Sequence, residues 1–236
     1  MISFIIRNII VLLDSLIHQK RIISSISKLN FKIDNIIDIG SHNGTYTFLF
    51  KKKFPSSKIF CFEPQINQIK LAKSKLKKFK NIFFFNIALG DKKKQLLMKV
   101  NLGSSYVSTF SEFNFNSRYL NLRNFIIKPK KNHNDKIQMI NLDSFKILKK
   151  KKIDLLKIDV EGYELKVLQG AKNVLRNSKC VIIEFHNSDI YKNFFPKKIH
   201  NLLKDNNFKL IKKIKFPFLS WEDRIYVKKN IKDLLF

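Results

Sequence analysis

The sequence predicts an α/β protein: an open, mostly parallel sheet with helices between its strands. Three observations carry that prediction. From about residue 34 onward, apolar strand-like runs alternate with segments of helical period, as in successive βαβ units. Several of those runs stop in an acidic residue before a turn, at the strand ends where open α/β sheets bind ligands. Two C-terminal runs, Phe208–Phe216 and Asp223–Lys229, read as a closing antiparallel pair. A chain of 236 residues suits one such domain with modest additions. No repeat and no Pro/Gly/Ser-rich linker divides it.

The N-terminal stretch MISFIIRNIIVLLDSLIHQKR has a short apolar core, interrupted by Arg7 and Asp14, and no small-residue cleavage site follows. Its apolar residues cover a broad helix face. Residues 1–33 therefore read as a helical extension, packed on a domain of residues 34–236 or touching a membrane surface. Asn35–Gly40 is the first strand and Thr45–Lys53 the first helix. Lys58–Glu63 is the second strand, ended by Pro64. Gln65–Phe79 makes a basic amphipathic helix with Ile66, Ile69, Leu71, Ala72 and Leu76 towards the sheet. Ile82–Ile87 is the third strand.

The next fifty residues break the rhythm. Gln95–Val100 and Ser104–Phe110 read as short strands, and Ser111–Asn134 shows no period, as in an inserted cover that binds substrate. Order resumes with strand Lys136–Asn141 and a short helix led by Asp143. Ile153–Asp159 is the fourth core strand, Tyr163–Asn177 its helix, Lys179–Phe185 the fifth strand, and Ile190–Asn206 a further helix.

The formal charge is 47 − 18 = +29, which at first points to nucleic acid or an anionic membrane. Only six of the 47 basic residues are Arg, however, and Arg supplies most bidentate base and phosphate recognition. Lys, Asn, Ile and Phe all have A/T-rich codons, so a biased genome accounts for the composition. No specific nucleic-acid partner is expected. The blocks Lys51–Lys53, Lys92–Lys94 and Lys149–Lys152 read as solvated faces. Cys61 and Cys180 lie in apolar runs with no metal-ligand spacing, so no metal is expected. Buried free thiols fit a reducing, cytoplasmic compartment. No uninterrupted apolar run reaches 18 residues.

Four constellations carry chemistry. In Asp38-Ile-Gly-Ser-His-Asn-Gly44, Asp38 ends a strand, and Gly40 and Gly44 let the backbone turn tightly and approach a ligand. The D-x-G-x-x-x-G spacing departs from G-x-G-x-x-G and fits a nucleoside without a pyrophosphate. Glu63 ends the next strand, 63 − 38 = 25 residues on, where a carboxylate accepts hydrogen bonds from both ribose hydroxyls. Lys157 and Asp159 share a strand face, and a Lys inside LLKID needs a partner, either Asp159 or Glu184. His186 ends the fifth strand at the same sheet edge, where an imidazole suits general-base work.

These segments resemble the FkbM-type S-adenosylmethionine-dependent methyltransferases. The resemblance runs from Ile36 to His186 through IIDIGSHNGTYTFLF, IFCFEP, NIALGD, SSYVSTF, INLDSF, LLKIDVEGYELKVLQGA and VIIEFH, and DVEGYE is the most specific of them. It implies a Rossmann-like sheet of seven strands with helices on both faces, S-adenosyl-L-methionine as methyl donor, and O-methylation of a sugar or natural-product hydroxyl. A small molecule or glycan is then the acceptor. Asp38, Gly40, Asn43 and Gly44 would cradle the methionine portion, Glu63 the ribose, and Asn86 and Ala88 would lie near adenine. Asp159 and His186 are candidates for proton removal, with Glu161 orienting the acceptor. The Phe113–His133 region is idiosyncratic. An NAD-dependent oxidoreductase and a basic nucleic-acid-binding module are the alternatives. The first lacks its glycine fingerprint, and the second gives no reason for carboxylates at three strand ends.

Overall fold

Successive residues of a strand point to opposite faces of a sheet, so the apolar runs decide what covers each side. The computed structural model describes residues 12–101, 108–127, 132–148, 151–186, 189–216 and 221–231. In chain order it begins with α1 (Gln19–Ser27), β1 (Asn35–Ile39), α2 (Thr45–Lys53), β2 (Lys58–Phe62), α3 (Ile66–Leu76) and β3 (Ile82–Phe85). Next come β4 (Ala88–Leu89), β5 (Lys94–Asn101), α4 (Arg118–Ile127), β6 (Asn132–Ile140) and β7 (Ile153–Ile158). The chain closes with α5 (Glu164–Gln169), α6 (Lys172–Arg176), β8 (Ser178–His186), α7 (Pro196–Asp205), β9 (Phe208–Lys215) and β10 (Trp221–Lys228).

Seven strands form one sheet in the order β3-β2-β1-β7-β8-β10-β9, parallel except for β10, which runs antiparallel to both neighbours. The closing antiparallel pair of the sequence reading is β9 and β10. On one face Ile37, Ile39, Leu156, Ile158, Val181 and Ile183 pack under α5, α6 and α7 through Val167, Val174, Ile199 and Leu203. On the other, Ile36, Leu155, Cys180, Ile182 and Ile225 pack under α1 and α2 through Ile22, Ile26 and Phe50. The described part of the N-terminal helix is thus a packing element, with Leu12 and Ile17 exposed. Cys61 and Cys180 are buried free thiols. Among the described residues, no helix is long and apolar enough to cross a membrane.

The structure departs from the predicted elements in several places. On α3, Ile69, Ala72 and Leu76 face the sheet as read, whereas Ile66 and Leu71 are exposed, and β3 ends at Phe85, two residues before the predicted strand end. The Tyr163–Asn177 helix is two helices, because Gly170 faces the Gly90 carbonyl, which a Cβ there would meet at 1.9 Å. The second helix is capped from a distance: Asp143 accepts from Asn173 N at 2.9 Å and Val174 N at 3.0 Å. The last helix starts at Pro196 rather than Ile190, with the proline in its first turn. The inserted cover contains α4, whose first turn is capped by Ser117 Oγ accepting from Leu120 N at 3.2 Å. A second sheet, β4-β6-β5, stands in this region, and its β6 begins four residues before the predicted strand. Most of the Ser104–Phe110 stretch lies outside the described residues, and Thr109 makes an isolated bridge with Lys99. Lys51 departs from the solvated face expected of its block: it is buried, and its Nζ donates to the Ser57 carbonyl.

Candidate active site

The turn after β1 is held on both sides. Gly40 N and Ser41 N donate to the Phe62 carbonyl at 2.9 and 3.2 Å. Gly40 and Gly44 both have φ +75°, and a Cβ on Gly40 would lie 1.7 Å from the Asp159 carbonyl oxygen. That close approach joins the turn to the end of β7. Glu63, only 3% exposed, ties the turn to the next strand end. Its Oε2 accepts from His42 N at 3.0 Å and its Oε1 from Gln65 N at 2.9 Å. Burial pushes its carboxyl up to about 7, against the pull of those hydrogen bonds. Asn86 bridges the same corner, donating to the carbonyls of Glu63 and Pro64 at 3.0 and 2.8 Å.

A second group gathers at the carboxyl ends of β7 and β8. Lys157 is 1% exposed, with Nζ 2.8 Å from Asp159 Oδ2 and 4.3 Å from the Tyr46 ring centre. Burial opposes charge on Asp159, but the Lys157 ammonium and a hydrogen bond from Glu184 hold its carboxyl below the usual carboxylate range. Burial, together with the carboxyls of Asp159, Asp223 and Glu164, pushes Glu184 well up. Glu161 occupies the left-handed region at φ 54°. Its carbonyl accepts from Thr109 Oγ1 and its Oε2 from the Tyr191 hydroxyl. Burial and the neighbouring Glu184 carboxyl push Glu161 up to about 8. His186 Nε2 lies 3.2 Å from Glu184 Oε2 and 3.8 Å from Glu161 Oε2.

Residues 38–210 match the Methyltransferase FkbM domain. The chain belongs to the FkbM methyltransferase family. The 2-O-methyltransferase NoeI of Sinorhizobium fredii (strain NBRC 101917 / NGR234) is 22% identical over 173 residues, covering 68% of this chain and 67% of that protein. The crystal structure of Methyltransferase FkbM from Methylobacillus flagellatus KT superimposes with a TM-score of 0.55 at 13% identity. That match covers 85% of this chain but 47% of the solved one, so the present chain spans about half of that relative. M. capricolum TrmK, solved in complex with its natural cofactor product S-adenosyl-homocysteine, matches with a TM-score of 0.50 at 14% identity, over 91% of this chain and 70% of its own. At these identities the two structures share the fold.

Within this FkbM domain, the residues singled out in the sequence fall into two neighbouring groups. Gly40, Asn43, Gly44, Glu63 and Asn86 surround the turn after β1, where Asn43 Oδ1 accepts from Thr45 Oγ1 at 2.6 Å. Asp38 lies beneath the turn rather than on it: it is fully buried, with Thr47 Oγ1 donating to its Oδ2 at 2.7 Å. Ala88 is buried in β4, paired with Met139. Asp159, Glu161 and His186 form the second group. Sequence reasoning missed four residues there. Glu164, fully buried, accepts from Val160 N and Gly162 N at 3.2 and 3.1 Å, closing the turn that presents Glu161. Thr109 and Tyr191 hold Glu161 from the cover and from the segment read as helix. Asp223 on β10 accepts from buried His18 at 2.8 Å and carries the acidic edge onto the next strand. An acidic residue two places after a glycine, inside the first helical turn, is the one signal that marked Glu164 in advance.

Proposed function

We propose that this FkbM-family protein transfers the methyl group of S-adenosyl-L-methionine to a hydroxyl oxygen of a sugar or natural product. The reading is carried by one juxtaposition: Glu63, beside the Gly40–Gly44 turn, one strand away from the turn's contact with Asp159. Each Glu63 oxygen accepts one backbone N–H, and the Gln65 side chain also donates to the carboxyl, a contact that a ribose hydroxyl would replace. The methionine portion then lies over Gly40, Asn43 and Gly44, with Asp38 bracing the turn from below, and adenine lies towards Asn86 and Ala88. The cofactor product bound by M. capricolum TrmK and the 2-O-methyltransferase name of the Sinorhizobium relative support the same donor and the same class of acceptor.

The sulfonium methyl is already activated, so the protein has to align the acceptor oxygen for in-line attack and accept its proton. As the new C–O bond forms, the S–CH3 bond breaks with its electron pair going to sulfur. The acceptor proton passes to the Asp159 carboxylate, which Lys157 keeps ionised, while Glu161 and His186 orient the hydroxyl. The products are a methyl ether and S-adenosylhomocysteine. The test is donor titration by calorimetry beside transfer of labelled methyl to a panel of saccharides. Asp159→Asn should bind donor within a few-fold of wild type while transfer falls by ~10²-fold or more. Near-wild-type turnover in both Asp159→Asn and His186→Gln would remove this strand edge as the reaction centre.

A further inference from the structure

In a chain of net charge +29, the sheet edge made by the carboxyl ends of β7 and β8 and the amino end of β10 collects Asp159, Glu161, Glu164, Glu184 and Asp223. Lys157 is committed to Asp159 and His18 to Asp223. Three other groups converge beside these pairs. One ligand atom each from Glu161, Glu184 and His186 lies within 4.8 Å of the other two. His186 is 7% exposed at its side chain, and its Nε2, aimed between the two carboxyls, makes no hydrogen bond. Glu184 Oε2 makes none either. A buried imidazole nitrogen facing two carboxyl oxygens is an arrangement a cation completes.

We propose that Glu161, Glu184 and His186 form a binding site for a divalent cation of the Mn2+ type, on which the oxygens of the acceptor complete the coordination. One imidazole and two carboxylates suit Mn2+, Fe2+ or Zn2+ better than Mg2+, which favours oxygen donors and retains water. Cation-ligand distances of about 2.0–2.2 Å put adjacent ligand atoms roughly 3 Å apart. The 3.2 Å separation of His186 Nε2 from Glu184 Oε2 already meets that spacing, and the third ligand atom, Glu161 Oε2, lies 3.8 Å from the same nitrogen. Glu161 is held for the purpose by its left-handed backbone, by Thr109 and by the Tyr191 hydroxyl. Three ligands on one side leave the opposite positions open. Two neighbouring oxygens of a sugar fill such positions as a chelate, and that geometry selects which hydroxyl faces the methyl donor. The cation's binding stands on these residues alone; its role in presenting the acceptor rests on the methyl-transfer reading.

The experiment uses the full chain, stripped with a chelator and titrated with MnCl2, followed by calorimetry and by loss of the free Mn2+ paramagnetic resonance signal. One Mn2+ per chain should bind without donor or acceptor present. Glu184→Gln and His186→Gln should each weaken it by at least ~10-fold while donor affinity stays within a few-fold. Glu63→Ala should do the reverse, losing donor affinity and keeping Mn2+. On the wild-type protein, bound Mn2+ should broaden the ring resonances of His186, a readout that does not depend on any variant folding. No Mn2+ binding by the wild type, binding unchanged in His186→Gln, or His186 resonances left sharp would each overturn the cation site while leaving the donor reading standing. Mn2+ binding at these residues, without methyl transfer to any hydroxyl, would uphold the cation site and overturn the methyl-transfer reading instead.

Discussion

Glu63 offers the most direct test of the donor site, because its environment makes a prediction about pH as well as affinity. Its two oxygens lie at the end of β2, and each already holds a backbone N–H. Burial places the carboxyl at about 7 in the free protein. Only the ionised form accepts from both ribose hydroxyls, and hydrogen bonds to a charged group contribute about 1.5–3 kcal/mol. Glu63→Ala should therefore weaken S-adenosyl-L-methionine by at least ~10-fold. In the wild type, affinity should rise by roughly tenfold between pH 6 and pH 8, as the free carboxyl ionises through about 7. The stability linkage has the opposite sign. A carboxyl raised from 4.5 to about 7 binds its proton more tightly in the folded state, so its contribution is full below 4.5 and is lost as pH climbs to about 7. That loss amounts to about 3 kcal/mol. Calorimetric titrations at pH 6, 7 and 8, with urea melts of both proteins between pH 4.5 and pH 8, measure the two trends. Equal donor affinity at pH 6 and 8, or in Glu63→Ala and wild type, would refute the ribose assignment.

Two further substitutions test how the site is supported. Gly40→Ala should destabilise the protein by more than the ~1–2 kcal/mol of a left-handed non-glycine residue, because its Cβ would overlap the Asp159 carbonyl at 1.7 Å. Gly44→Ala should cost less, since its Cβ would meet the movable end of Leu76 at 2.8 Å; equal thermal shifts would contradict the proposed junction of turn and strand. Asp143→Ala removes the carboxylate that accepts from Asn173 N and Val174 N. It should lower stability by about 1 kcal/mol, a melting shift of ~2–4 °C for a chain of this size, with methyl transfer unchanged.

The strands were legible because each is a short apolar run with a turn residue behind it, and the parallel order of β1, β2, β7 and β8 follows from the helices between them. The Lys157–Asp159 pair was legible as well: strand periodicity puts both on one face, and a buried ammonium demands a partner. What escaped the sequence depends on contacts between distant segments. Nothing local in KVLQGAKNV announces that Gly170 must clear the Gly90 carbonyl or that Asp143 will cap the following turn. Tyr191 falls in the segment read as helix, and its contact is visible only once that segment folds back onto Glu161. His186, read as a lone residue at a strand end, acquires a different meaning when β7 and β8 bring two carboxyls to its Nε2.

The same parity that builds the core also builds the reaction edge. On the face packed beneath α1 and α2, β1 reads Ile36 then Asp38, β7 Leu155, Lys157 then Asp159, and β8 Cys180, Ile182, Glu184 then His186. Antiparallel β10 runs the other way, Asp223 before Ile225, so its carboxylate arrives at the same end, directly opposite Glu184. Each strand is apolar along its length and charged at this end, where α2 still covers Asp38 through Thr47 and Lys157 through Tyr46. Placing charge there costs desolvation, and a buried ion pair rarely returns more than it costs. Packing stability therefore does not account for the pattern. The proposed acceptor site accounts for it, because charges oriented before the substrate arrives would need little reorganisation at the moment of transfer.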